Sequence, residues 1–307
     1  MSIIGCGCNQ FGRKIDRPAT ADVVGAAIDA GINFFDTADR YGYGDQSFSG
    51  QGHSEEFLGA AIRARREEVV VATKFGNPMG DDPRDHGGGE RWVRLAVEDS
   101  LRRLGTDRID LYQLHGPDPE TPIAETLGVL NDLVVQGKVR EIGCSKFSPE
   151  QLREAESVGP SFPKRFASVQ NEYSLLAREP EQGVLDVCRE AGIGFLPYFP
   201  LAGGLLTGKY RNGGEVPPNS RLALFAPSRT HLGLSEENLN MVERYTKFAE
   251  ARGHSILELA FTWLFAHQEV ASVIAGATSP EQARQNAAAG DWHLTAEDLA
   301  ELELLRQ

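Results

Sequence analysis

Asp36, Tyr41, Lys74 and His115 close three successive apolar runs. Phe35-Asp36-Thr37-Ala38-Asp39-Arg40-Tyr41 ends one, Ala72-Thr73-Lys74-Phe75 the next, and Tyr112-Gln113-Leu114-His115 the third. A carboxylate, a phenol, an ammonium and an imidazole brought to one rim suit hydride reduction of a carbonyl. Hydride arriving at carbon puts negative charge on oxygen, which then needs a proton and polarising donors. A free tyrosine, with a pKa of about 10, is protonated at neutral pH and can donate. An ammonium beside it stabilises the phenolate and is expected to lower that pKa toward the working range. On this reading Tyr41 gives the proton, Lys74 supplies the charge, Asp36 fixes and balances Lys74, and His115 donates to the carbonyl oxygen. Each residue alone has an ordinary reading. A lysine after a strand is usually solvated, Asp before Thr is often a turn or cap, a tyrosine in a glycine-rich loop packs or binds, and His115 before Gly116-Pro117 could be a satisfied loop histidine. Their conjunction is what points to chemistry.

Placing them together requires parallel strand ends. Runs of four to seven apolar residues at 3–8, 32–37, 69–73, 109–114, 139–144, 167–170, 194–197 and 270–275 alternate with helix-period stretches. Val93, Val97, Leu101 and Leu104 share one helix face, as do Ile123, Leu127, Leu130 and Val134. Gly31 and Gly105 stand where helices should stop. Ser148-Pro149-Glu150-Gln151 and Ser279-Pro280-Glu281-Gln282 each read as an N-cap, Pro at N1 and Gln at N3. Strict β-then-α alternation implies an α/β fold with a parallel sheet covered by helices. Eight units favour a closed eight-stranded (β/α)8 TIM barrel, although periodicity alone leaves closure open. The length of 307 residues suits one such domain spanning 1–307. The long segments 40–53, 76–90 and 201–235 all follow strands and so crowd the C-terminal face, where barrel sites lie.

Composition narrows the partners. With 31 basic and 44 acidic side chains, a net charge of −13 argues against nucleic acid or an anionic membrane surface. No apolar run is long enough to span a bilayer. Four cysteines without CxxC spacing fit a reducing cytoplasm. Cys6 and Cys8 share a strand face with no supporting histidines, and His86 among Asp81, Asp82 and Asp85 reads as a solvated loop, so no metal is expected.

From Gly5-Cys6-Gly7 to Asn286 the chain resembles the aldo-keto reductase superfamily, in a bacterial-type form similar to the branch that includes potassium-channel β subunits. The resemblance is carried by Phe34-Phe35-Asp36-Thr37-Ala38 with Tyr41, Ala72-Thr73-Lys74-Phe75-Gly76, and Asp110-Leu111-Tyr112-Gln113-Leu114-His115. It continues in Ile142-Gly143-Cys144-Ser145, Val169-Gln170-Asn171-Glu172-Tyr173, and the run from Pro200-Leu201-Ala202-Gly203 through Lys209-Tyr210. It implies Asp36, Tyr41, Lys74 and His115 as catalytic tetrad and a nicotinamide cofactor extended across the rim. Ser145 and Gln170 would hold the carboxamide and Tyr198 would stack on the ring. Further contacts are implied at Gly7, Cys8, Asn9, Asp36, Phe199 and Pro200.

The phosphates need donors, and Gln10 stands where a Rossmann fingerprint would have its third glycine. The family's alternative uses Leu201, Ala202, Gly203, Lys209 and Arg221, with Gly276 and the helix start that follows it, where backbone N–H groups favour an anion. Thr278 would meet the 2′-phosphate, with Gln282, Gln285 and Asn286 around the adenosine, while Ser279 reads equally well as a plain cap. No acidic residue in these stretches is placed to grip a bare ribose 2′-hydroxyl, and Lys209 and Arg221 offer cations, so NADPH is favoured over NADH. Lys146 departs from the family, which usually carries Asn there. It is a candidate for the pyrophosphate, with a solvated loop lysine as the alternative. Because relatives usually close the barrel bottom with an N-terminal hairpin, the helix at 296–305 is expected to cover it. Substrate contacts are expected from Tyr43, Phe75, Gly116 and Phe147, with a small carbonyl or alcohol as substrate. Two competing readings remain open: an NADPH-binding regulatory subunit with little turnover, which His115 argues against, and a Schiff-base aldolase through Lys74.

Overall fold

The computed structural model describes residues 1–42, 51–80, 82, 84–210, 214 and 233–306. Its eight parallel strands fall on the eight expected runs. They are β1 (Ile4–Gly7), β2 (Phe34–Asp36), β3 (Val70–Phe75), β4 (Ile109–Leu114), β5 (Val139–Ser145), β6 (Ser168–Gln170), β7 (Gly194–Phe195) and β8 (Val273–Gly276). They are bonded in the order β7-β6-β5-β4-β3-β2-β1-β8. Closure is settled at the seam between β7 and β8. Parallel bridges pair Phe195 with Val270 and Tyr198 with Ile274. Phe195 N donates to Glu269 O at 2.7 Å and Ile274 N to Pro197 O at 3.0 Å. The fold is a (β/α)8 barrel.

Helices α1 (Arg17–Asp29), α2 (His53–Ile62), α3 (Glu90–Leu104), α4 (Ile123–Val135), α5 (Pro149–Val158) and α6 (Val184–Ala191) alternate with the first seven strands. Then come α7 (Glu236–Glu250) and α8 (Ile256–Phe265) before β8, and α9 (Pro280–Ala288) and α10 (Ala296–Leu304) after it. Local signals act as read. Ser148 and Gln151 form a reciprocal capping box on α5. Gly105 ends α3 in the left-handed conformation at φ 63°. Helix α10 is tied to the outer layer by ion pairs. Arg178 bonds Glu303 at 2.7 Å, and Arg252 bonds Asp298 and Glu301 at 2.6 and 2.7 Å.

Strand alternation sorts the core into two compartments. Phe34, Ala72, Leu111, Leu196 and Ile274 pack together inside the barrel. Their neighbours in sequence, such as Phe35, Val71, Tyr112 and Phe195, belong to the larger core between strands and helices. Two residues beyond the inner apolar layer, on the same faces, stand Asp36, Lys74 and Gln113. The barrel is thus plugged by hydrocarbon below and lined by polar groups above. Gly5 makes room for this plug, because a Cβ there would lie 2.6 Å from the Phe34 ring.

Candidate active site

Lys74 is the buried hub of the rim. Its ammonium donates to Asp36 Oδ2 at 2.5 Å and to the Thr37 carbonyl at 2.9 Å. The lysine is 0 % and the aspartate 2 % exposed. Asp36 Oδ1 accepts from Gln113 Nε2 at 3.2 Å and from Gln170 Nε2 at 2.9 Å. Four strands therefore converge on one carboxylate. Burial works against the lysine's charge, but Asp36 and Tyr41 outweigh it and hold its pKa above the ordinary lysine value. A Schiff-base role needs a neutral, accessible amine, which this Lys74 is not.

Tyr41 leans over this pair, with the Lys74 ammonium 5.1 Å from its ring centroid. Its backbone is pinned by α2: Gly52 N and Ser54 N donate to its carbonyl at 3.1 and 3.3 Å. The expected fall in the Tyr41 pKa is reversed. Burial raises it most, Lys74 pulls it down, Asp36 raises it again, and hydrogen bonds with Lys74 and Asn9 only partly compensate. The net shift is upward, because burial outweighs the pull of Lys74, part of which the contact-pair Asp36 cancels. Tyr41 therefore rests fully protonated.

His115 packs edge-on to Tyr41, with ring centroids 5.7 Å apart. Burial holds its pKa well below the usual histidine value, and Lys74, Lys146 and Arg40 push the same way. The ring is neutral at pH 7. Its Nδ1 is buried without a partner, so carrying the single proton on Nε2 avoids burying an unpaired donor.

Ser145 and Gln170 are register partners at the ends of β5 and β6. Ser145 Oγ donates to the Gln170 carbonyl at 2.8 Å. Since the Gln170 amide nitrogen is spent on Asp36 and Gln113, both side chains offer acceptors, which suits a carboxamide NH2. Tyr198 lies half-buried at the seam, edge-on to Phe199 at 5.2 Å. All three non-glycine residues with left-handed φ among the described residues belong to the expected cofactor set: Lys146 (63°), Phe199 (54°) and Ala202 (47°). Strain of this kind collects at ligand sites. Gly203 and Gly204 continue the turn at φ 69° and 110°, Pro200 is buried and Leu201 half-buried above it, and the exposed Lys209 folds over the Tyr210 ring. Gly7 brings β1 close to β8, where its Cβ would lie 3.0 Å from Ile274 Cγ2. A strained rim, a glycine-lined turn and a capped helix start together fit an extended anionic cofactor.

Several expectations are corrected. Cys8, just past the end of β1, is 0 % exposed in the outer core, with its amide bonded to the Asp36 carbonyl, its carbonyl to Ser54 and its thiol to the Cys6 carbonyl. Phe75 is likewise fully buried outward, stacked on Tyr112 at 4.6 Å. Phe147 is turned into the core against Phe166 by the left-handed Lys146 before it. Neither phenylalanine presents surface at the rim. Gly116 does face open space, with only Lys146 Cδ near the position of its Cβ. Thr278 already gives its amide and hydroxyl to Gln282 Oε1, at 2.9 and 3.1 Å. Asn286 donates to the Gly276 carbonyl at 3.4 Å, and Gln285 is drawn to Glu281 at 2.9 Å. That Glu281 is an acid within the stretch read as free of a suitably placed one; it faces Gln285 and, at 3.7 Å, Arg284. Tyr43 and Arg221 lie outside the described residues.

Two features escaped the sequence reading. Gln113 holds Asp36 from two strands away, and its only signal was its place two residues after Leu111, opposite Lys74 in register. Behind the rim lies a second buried polar group. Glu55 accepts from Thr73 Oγ1 and Arg103 Nε, both at 2.6 Å. Asp39 takes the Arg40 amide at 2.6 Å, while its Oδ2 and the Tyr112 hydroxyl are buried without partners. Burial and nearby Glu55 push the Asp39 pKa well above the usual carboxylate value.

Comparison with known proteins agrees with this geometry. Residues 3–307 match the Aldo/keto reductase family. An L-glyceraldehyde 3-phosphate reductase of Escherichia coli O157:H7 is 32% identical over 304 residues, covering 96% of this chain and 86% of the relative. A probable aldo-keto reductase of Glycine max is 34% identical over 98% of this chain and 84% of its own length. The structure of a glycerol dehydrogenase from Gluconobacter oxydans superimposes with a TM-score of 0.83 at 31% identity, over 99% of this chain and 91% of the other. With a closed barrel and a Lys–Asp–Tyr–His rim of this kind, the chain belongs to the aldo/keto reductase family of oxidoreductases.

Proposed function

We propose that the chain works as one barrel domain over residues 1–307 and reduces an aldehyde or ketone to an alcohol with NADPH, reversibly, using Tyr41 as general acid. The observation that carries this reading is the buried Lys74–Asp36 pair at 2.5 Å beneath Tyr41 and beside a neutral His115. When bound, the cofactor supplies hydride to the carbonyl carbon. Ser145 and Gln170 would accept from its carboxamide and Tyr198 would stack on its ring. Leu201, Ala202, Gly203 and Lys209, with the backbone at the start of α9, would hold its phosphates.

The protein's own groups manage the charge. His115 Nε2–H polarises the carbonyl oxygen without bringing a second cation. Tyr41 delivers the proton, and the phenolate it leaves is stabilised by Lys74 in a low-dielectric setting. Asp36 keeps Lys74 charged and aimed, and Gln113 and Gln170 keep Asp36 from rotating. Four free, buried thiols suit a reducing cytoplasm, and among the described residues no helix is long and apolar enough to cross a membrane.

A regulatory subunit with little turnover would share the barrel but would not need His115 packed on Tyr41. The test is oxidation of NADPH or NADH in the presence of an aldehyde panel. Tyr41→Phe should lower kcat by about 10²–10⁴-fold while NADPH still quenches intrinsic fluorescence with an unchanged Kd. Full turnover in Tyr41→Phe would refute the mechanism.

A further inference from the structure

Lys146 occupies a position that its side chain type disfavours. At φ 63° a long, Cβ-bearing residue is strained, whereas glycine or asparagine would sit there more cheaply. Its amide is fixed to the Gln170 carbonyl at 3.0 Å, its residue is exposed, and its stem runs beside Gly116, where a Cβ would stand 4.0 Å from Lys146 Cδ. That direction is from β5 toward β4 and His115. The phosphate-holding candidates lie on the loops after β7, which is reached from β5 through β6 rather than β4, and after β8, which meets β7 at the seam. On the opposite flank Arg40 directly precedes Tyr41 and is steadied by Asn77 Oδ1 at 3.1 Å. The charges of both residues are felt at the His115 ring. Two cations thus flank the position of the reacting carbonyl in a chain of net charge −13.

We infer that Arg40 and Lys146 form a cationic mouth that selects carbonyl substrates bearing an anionic group near the carbonyl, a carboxylate or a phosphate monoester. The inference rests on the reductase reading and names the substrate class of that same site. Strain at Lys146 is tolerated because the ammonium meets the substrate's anionic end, while His115 and Tyr41 meet its carbonyl. Against an overall field that repels anions, only local cations can draw such a substrate in.

The experiment compares kcat/KM with NADPH for two matched pairs: succinic semialdehyde against butanal, and glyceraldehyde 3-phosphate against glyceraldehyde. The wild-type protein should favour the anionic member of at least one pair by about tenfold or more, the scale of a close charge pair at a protein surface. A preference in one pair alone names carboxylate or phosphate. Lys146→Met and Arg40→Gln should each shrink that preference through KM, and the exposed charge reversal Lys146→Glu should invert it. Equal kcat/KM within both pairs, with neutral aldehydes turned over, would overturn the inference and leave the reductase reading standing. Retention of the preference in Lys146→Met with a weakened NADPH Kd would also overturn it, giving Lys146 to the cofactor. Absence of turnover with every aldehyde would sink both.

Discussion

Replacing Asp36 by Asn changes almost no volume and removes one buried charge. Lys74 is then left charged in a site where it is 0 % exposed. Asparagine has one acceptor oxygen, whereas Asp36 now serves Lys74 on one oxygen and two glutamine amides on the other. Some donor must face the new NH2. Breaking a buried ion pair from one side costs about 3–5 kcal/mol. Unfolding entropy of about 2.1 cal/mol/K per residue, over 307 residues, gives about 0.6 kcal/mol per degree. The Tm of Asp36→Asn should therefore fall by about 5–8 °C. Adding Lys74→Met removes the stranded ammonium, so the double variant should be more stable than Asp36→Asn alone, with a coupling of about 1–3 kcal/mol. Thermal and urea unfolding followed by circular dichroism would measure all four proteins. Hydride transfer should be lost in each variant, so the stability cycle is read independently of catalysis. A Tm of Asp36→Asn equal to wild type, or a double variant whose loss is the plain sum of the two singles, would refute the claim that this pair is buried and mutually neutralising.

Three further outcomes follow from named contacts. His115 stays neutral in the fold while an unfolded chain takes up its proton near about pH 6.5. Its contribution is thus present above that pH and lost as pH falls below it, and His115→Gln should flatten urea midpoints between about pH 7.5 and pH 5. Asp39 behaves with the opposite sign. Its folded pKa lies above 3.8, so rising pH ionises the unfolded chain first and stability declines. Asp39→Asn should therefore raise Tm at about pH 7 and give no gain near about pH 3, and a gain at both would contradict the assignment. Gly59→Ala would place a Cβ 2.2 Å from the Leu104 carbonyl oxygen, forcing α2 from α3 at about 2–3 kcal/mol. Because α2 pins the Tyr41 carbonyl, kcat should drop with Tm; a wild-type Tm would show that the helices can slide.

Much of the protein was legible residue by residue. Period-2 alternation in strands and period-3.6 stripes in helices are local properties, so eight βα units, their caps and their glycine stops could be read directly. Three of the four residues that meet at the rim were legible for the same reason: Asp36, Lys74 and His115 sit at strand ends, where a polar residue breaks an apolar run. What local pattern does not contain is the partner across the sheet. Whether β7 and β8 meet depends on bridges between residues about 75 apart, Phe195 with Val270 and Tyr198 with Ile274. Gln113 looked like an interior strand residue until register set it opposite Lys74 and within reach of Asp36. Phe75 and Cys8 sat in the right motifs but in the outer core, and Phe147 was turned inward by one left-handed residue.

The sequence by itself determined the chemistry available, because side-chain types and their spacing along strands decide which groups can meet at the barrel mouth. Only the tertiary structure decided how those groups are charged. Burial is set by all neighbours at once, so Tyr41 rests above rather than below its ordinary pKa, Lys74 stays an ammonium, and His115 stays neutral.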